Sequence, residues 1–221
     1  MKLRIGAALA AALSGSAALA ATNGFYVPSF RGEPGSRAGY WESFTVAVGA
    51  PGNLAEFGND TTSVLVQSAP GAIVLGSGNI YNLAGVSDFT LSYSGGGPVG
   101  AVVLQVRTSG TELDYGAVSL NYGSGSLSAT RVELDRSAFG TPGVPGPQGF
   151  NVSSAWEWNL APLNVSTYTI QFSAAEDSLS LDSLTLDTQV VPEPETLALA
   201  ALGLGALMLT RWRRIRGSIT A

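Results

Sequence analysis

The chain has 221 residues, 28 of them glycine, with no histidine and no cysteine, and 16 acidic side chains against 11 basic ones give a net charge of −5. That composition excludes Ser-His-Asp and Cys-His triads, His- or Cys-liganded zinc and thiol redox chemistry, and Lys2 is the only lysine that could form a Schiff base. Stability must come from packing and strand pairing, not from disulfides.

In chain order, Lys2 and Arg4 precede the apolar stretch Ile5 to Leu13, and Ala18-Leu19-Ala20 offers the small residues that a signal peptidase reads. Residues 1–20 are therefore expected to be a secretory signal peptide. The body, 21–189, has a length that suits one domain. Five basic and 14 acidic residues between Ala21 and Val191 give this part a net charge of −9, which repels phosphate backbones and anionic lipids and argues against a nucleic-acid partner.

Arg31 to Gly39 reads as a loop with two solvated arginines, leading into Tyr40-Trp41-Glu42. From there the apolar residues recur at period two. Phe44, Val46 and Val48 alternate with polar or small neighbours, as do Phe89, Leu91 and Tyr93. The same holds for Val102, Leu104 and Val106, for Val132 and Leu134, for Trp156, Trp158 and Leu160, and for Tyr168, Ile170 and Phe172. Each set predicts a half-buried strand, with Val103, Gln105 and Arg107 facing outward. Shorter strands are expected at Val64 to Gln67, Ala72 to Leu75 and Ala117 to Asn121. Gly- and Pro-rich turns separate them, and no helical period is found in the body. The expected fold is all-β, an antiparallel two-sheet sandwich of jelly-roll type.

Two irregularities refine this picture. The leucines of Leu179 to Leu186 change parity between Leu181 and Leu184, so a bulge at Asp182-Ser183 would return both pairs to one face. The glycine- and proline-rich segment Gly140 to Gly149 reads as an extended surface loop, too short for a collagen triple helix.

Candidate sites in the body are few. Glu42, Glu133 and Glu157 are the carboxyls that a two-carboxylate glycosidase could use, although strands of this kind usually turn such charges to solvent. Glu176, Asp177, Asp182, Asp187 and the Asn59-Asp60-Thr61 turn could supply oxygen ligands to a structural Ca²⁺, without matching any calcium-loop pattern. No metal site is assigned. Trp156 and Trp158, with Trp41, Tyr40 and Tyr115, could form an aromatic platform for carbohydrate, aided by Glu157, Asn159 or Arg107. The competing account places the tryptophans in the core of the sandwich.

The C-terminus is more specific. Val191-Pro192-Glu193-Pro194 is stiff and extended, because each proline fixes its own φ and disfavours helix in the residue before it. Thr196 can cap a helix running through residues 196–210, apolar on every face. Counted on to Trp212, about 17 residues at a rise of about 1.5 Å span roughly 25 Å, near the lower limit for crossing a bilayer core of roughly 30 Å. Arg211, Arg213, Arg214 and Arg216 then supply the positive charge that stays on the cytoplasmic side.

Extended motif (190–195), apolar helix (196–210) and arginine cluster (211–216) together resemble the PEP-CTERM sorting signal of bacterial surface proteins. Glu195 stands where that family more often has a small residue, and the chain runs on past the arginines to Ala221. The resemblance implies recognition by exosortase, a membrane-embedded transpeptidase-like protease, after passage through signal peptidase. It also implies a temporary membrane anchor and delivery to the cell surface or exopolysaccharide matrix of a Gram-negative-type bacterium. On this reading the protein is a structural or adhesive component, not an enzyme. The alternatives are a carbohydrate-binding module without catalysis and a glycosidase.

Overall fold

The computed structural model describes residues 24–123, 125–140, 148–191 and 202. The expected signal peptide, most of the Gly140 to Gly149 loop, and the tail from Pro192 onward except Leu202 lie outside the described residues. Among the described residues no helix is long and apolar enough to cross a membrane.

The described chain is all-β, built as two antiparallel sheets. The first orders its strands β11 (Val132–Phe139), β12 (Gly149–Asn159), β8 (Val99–Gly110), β14 (Leu179–Val190), β1 (Ser36–Trp41) and β3 (Phe57–Gly58), and a hairpin of β5 (Ile73–Val74) and β6 (Ile80–Asn82) also joins β14. The second runs β10 (Gly125–Ser128), β9 (Ser119–Tyr122), β13 (Tyr168–Ser173), β7 (Asp88–Tyr93), β4 (Val64–Gln67) and β2 (Asn53–Leu54).

Period-two patterning accounts for the core. Val102, Leu104, Val106, Trp156 and Trp158 from the first sheet meet Phe89, Leu91, Tyr93, Ile170 and Phe172 from the second in one buried cluster. Across the β7–β13 ladder, Phe89 stacks on Phe172 and Tyr93 on Tyr168, with ring centroids 5.0 and 4.9 Å apart. Both are directly opposed pairs, the arrangement in which cross-strand aromatics reinforce register. The Tyr168 hydroxyl reaches across to Thr188 Oγ1 at 2.5 Å, tying the second sheet to β14.

The expected bulge in the last strand is present. The register of β14 against β8 shifts between Leu181 and Ser183, and Leu179, Leu181, Leu184 and Leu186 are all fully buried. Asp182 stands where β14 exchanges partners. Before it, Leu179, Ser180 and Leu181 pair with β6; after it, Leu184 to Gln189 pair with β1.

Several expectations fail for identifiable reasons. Phe44, Val46 and Val48 do not form a strand; the Asn53 side chain and a loop carbonyl take the place of a ladder: Asn53 Oδ1 accepts from Thr45 N and Val46 N, Asn53 Nδ2 donates to Val46 O, and Phe44 N donates to Gly78 O. The strand starts earlier, at Ser36, inside the segment read as loop, since Gln189 to Leu184 of β14 offer it partners. Val103 and Gln105 do not face solvent; both are buried, because β8 is central and covered on both sides. The strand containing Val132 and Leu134 exists but is an edge strand with its own register shift between Glu133 and Asp135, leaving Val132 exposed.

Two contrasting substitutions test this description. Leu186→Ala should cost about 2–5 kcal/mol by opening a cavity in the core, whereas Val132→Ala should change stability by less than about 0.5 kcal/mol. Urea unfolding monitored by tryptophan fluorescence measures both, and equal losses would contradict the described core.

Candidate functional site

Backbone pairing in the folded body runs up to the residue before Pro192. Val190 N donates to Gly35 O at 3.0 Å and Val191 N to Pro98 O at 2.7 Å, so pairing continues to the last residue before Pro192. Gln189 Nε2 also donates to Pro34 O at 3.1 Å. Val191 itself is 41% exposed. The proline that follows has no N–H to donate. Pro192, Glu193, Pro194, Arg211, Arg213 and Arg214 lie outside the described residues.

Residues 190–214 match the model of the PEP-CTERM protein-sorting motif. The tail is a PEP-CTERM sorting signal. Its matched span begins at Val190, the final residue of β14, so sorting signal and sheet share a junction without a spacer. No curated protein matches the chain.

A second feature lies on the outer face of the first sheet, where the segment from Phe25 to Arg31 crosses β8 and β14 like a strap. Gln105 binds its backbone twice: its Oε1 accepts from Tyr26 N and its Nε2 donates to Tyr26 O, each at 2.9 Å. The Tyr26 hydroxyl donates to Glu157. Arg31 then forms a bidentate pair with Asp187, Nε to Oδ1 and Nη2 to Oδ2, both at 2.5 Å. The Asp187 side chain is 1% exposed and that of Arg31 15% exposed. Burial pushes the Asp187 carboxyl above its ordinary range and Arg31 pulls it back. Arg31 also lies over the Tyr40 ring, 5.1 Å from its centroid. The expectation of a solvated Arg31 is thus corrected: a buried carboxylate holds it. No sequence pattern within either segment links residues so far apart.

The proposed aromatic platform is not assembled. Trp41 and Trp156 are fully buried and Trp158 is 4% exposed, so none can stack on a sugar at the surface. Trp41 Nε1 donates to Asn53 O at 3.0 Å and Trp158 Nε1 to Leu127 O at 3.2 Å. Large flat side chains at inward positions fill the space between sheets, and burial of their apolar area decides their orientation.

The glycosidase carboxyls do not converge either. Glu133 pairs with Ser154, three residues from Glu157, so strand alternation puts the two glutamates on opposite faces. Glu42 follows β1, which β14 and β8 separate from β12; three steps of about 4.8 Å give a spacing of roughly 14 Å, beyond the roughly 5–10 Å such enzymes use. Glu133 is also engaged by Arg131 Nη2 at 2.7 Å and Arg136 Nε at 3.3 Å, and these bonds lower its pKa, the wrong direction for a general acid.

Four of the oxygen ligands considered for calcium, Asn59, Asp60, Asp182 and Asp187, are engaged locally. Asp60 accepts from Thr62 N at 2.9 Å and Ser63 N at 3.1 Å, closing its own turn, and Asn59 Oδ1 accepts from Ala38 N at 2.7 Å. Asp182 accepts from Asn79 Nδ2 at 2.6 Å, and Asp187 holds Arg31. Among the described residues no group of three or more carboxylates is placed to hold a metal.

Beside the β11 edge, Glu112 accepts two bonds from Arg136, at 2.7 and 2.6 Å, and one from the Tyr115 hydroxyl at 2.5 Å. Arg131 caps the Tyr115 ring at 3.7 Å. Burial, reinforced by Glu112, pushes the Tyr115 phenol up to about 12. In the unfolded chain that tyrosine ionises near 10.0, so the stability it contributes is complete below pH 10.0 and is lost as pH rises towards about 12.

Two outcomes follow. Arg31→Met should destabilise by about 3–5 kcal/mol because it strands a buried carboxylate, while Arg31→Met combined with Asp187→Leu should recover most of that loss in urea unfolding. Tyr115→Phe should flatten the fall in melting temperature between pH 10.0 and about 12; an unchanged slope would mean Tyr115 does not titrate as described.

Proposed function

We propose that this is an exported protein, sorted and processed through its C-terminal signal and finally placed at the cell surface or in the extracellular polysaccharide matrix, with a structural or adhesive role. The observation that carries the reading is the PEP-CTERM match at residues 190–214, joined directly to the last paired residues of the body. Exosortase and signal peptidase are the processing partners this implies. In the proposed layout residues 1–20 are the signal peptide, 21–189 the body and 190–216 the sorting signal. Within the signal, Val191 to Pro194 form the handle, 196–210 the temporary membrane anchor, and Arg211, Arg213 and Arg214 the stop-transfer charge.

The body suits such a role. Its two sheets close over one apolar core and its charged side chains sum to −9, which favours a dispersed, soluble module once the tail is processed. We read it as a jelly roll. Supporting this, β1-β14-β8-β12 lie side by side in one sheet and β7-β13-β9-β10 in the other, the order two interlocked Greek keys would give. A structural calcium stays a proposal without a defined site.

The test is intact mass and cell fractionation of the protein from its host, with the wild-type sequence and with Pro192-Glu193-Pro194 changed to three alanines. The expected wild-type product lacks the signal peptide and the residues beyond about the sorting handle, and is found outside the inner membrane. The variant should accumulate in the inner membrane with its tail intact. Identical mass and location for both proteins would make the tail a plain anchor.

A further inference from the structure

The strap covers only part of the outer face of the first sheet. Beyond it, one row of side chains crosses five strands in register: Tyr81 on β6 opposes Ser180 on β14, Ser180 opposes Ser109 on β8, Ser109 opposes Asn151 on β12, and Asn151 opposes Ser137 on β11. Four inter-strand steps of about 4.8 Å make this row roughly 19 Å long. Every member carries a hydroxyl or an amide and none is charged. Directly opposed residues lie on the same face of a sheet, so the row is continuous although its members come from distant parts of the sequence.

Asp182, at the bulge, ties the row together on the same face of the sheet, where it also pairs with Arg107 at 3.9 Å. Its Oδ1 accepts from Asn79 Nδ2 at 2.6 Å and Ser180 Oγ at 3.1 Å, and its Oδ2 from Ser109 Oγ at 2.5 Å. Ser109 Oγ is also 2.6 Å from Asn151 Oδ1, and a single hydroxyl proton cannot serve both acceptors. A groove of about 620 Å³ opens beside Ser109 and Ser180, with Tyr81 on one wall and Phe139 on the other. Its floor is made close to the backbone. Gly110 has φ +87°, and a Cβ there would stand 2.6 Å from Ser178 O, while Ser178 itself takes the left-handed φ of 65°.

We infer that this groove and row bind a neutral polysaccharide. Fixed hydroxyl and amide groups match the alternating donors and acceptors of sugar hydroxyls, and two aromatic side chains offer apolar surface to the C–H faces of pyranose rings. Polyanionic sugars are disfavoured by the body's charge of −9. The proposed surface placement bears only on where the sugar would be met; binding is a property of the body and is measured apart from sorting.

The experiment is affinity electrophoresis and calorimetry of the full chain, held in a detergent without a sugar headgroup, against laminarin, dextran, galactomannan and xyloglucan, with alginate as the anionic comparison. At least one neutral polymer should retard the protein and alginate should not. Tyr81→Ala and Asn151→Ala should each weaken binding at least tenfold, while Asn121→Ala on the other sheet should leave it unchanged. Circular dichroism checks the fold of each variant; if Tyr81→Ala unfolds, Ser137→Trp, at an exposed position, blocks the row without touching the core and should abolish binding. Retardation by none of the four neutral polymers, binding of alginate as tight as theirs, or binding indifferent to the row substitutions would each overturn the inference. None of these results depends on whether the tail is processed.

Discussion

Everything in this protein leans on the pairing of its last strand. β14 lies inside the first sheet, with β8 along one side and β6 then β1 along the other. Its inward leucines are fully buried and its outward Asp187 anchors the strap through Arg31. The first strand of the body therefore waits for the last, and the long-range closure this demands is the costly step of such a topology. Since the sorting signal follows β14 without a spacer, the same strand that completes the fold also presents the signal.

The bulge at Asp182 links architecture to chemistry. A regular strand would have turned both Leu184 and Leu186 outward after Leu181; the extra residue restores them to the core and leaves a carboxylate at the point where β14 changes partner. That carboxylate organises Asn79, Ser180 and Ser109 into a fixed polar surface. The Arg31–Asp187 pair does comparable work at the other end of the face, where burial makes the ions costly to separate. A buried pair of this kind specifies where the strap docks more than it adds to stability.

The aromatic residues divide along the same logic. Trp41, Trp156 and Trp158 carry the largest apolar areas and occupy the space between the sheets, whereas Tyr81 and Phe139 sit where the sheet face ends and are only partly covered. Sequence spacing puts Trp156 and Trp158 on one strand face, a pattern that suits a platform and a core alike. Only the direction of that face decides whether they meet sugar or core.

The sequence by itself determined the sorting motif, the all-β class, most strand positions and the bulge, because proline spacing and period-two alternation are local signals. Its errors fall where local pattern competes with distant partners: Phe44 to Val48 alternate like a strand but are bound by Asn53, and Gln105 alternates outward but lies beneath a strap from residues 25–31. The tertiary structure alone decided which strands are central, which alternating face is covered twice, and which polar residues from β6, β14, β8, β12 and β11 stand in one row. The physical reason is that register between strands far apart in sequence is set by whole-sheet pairing and burial, quantities that no short window of residues contains.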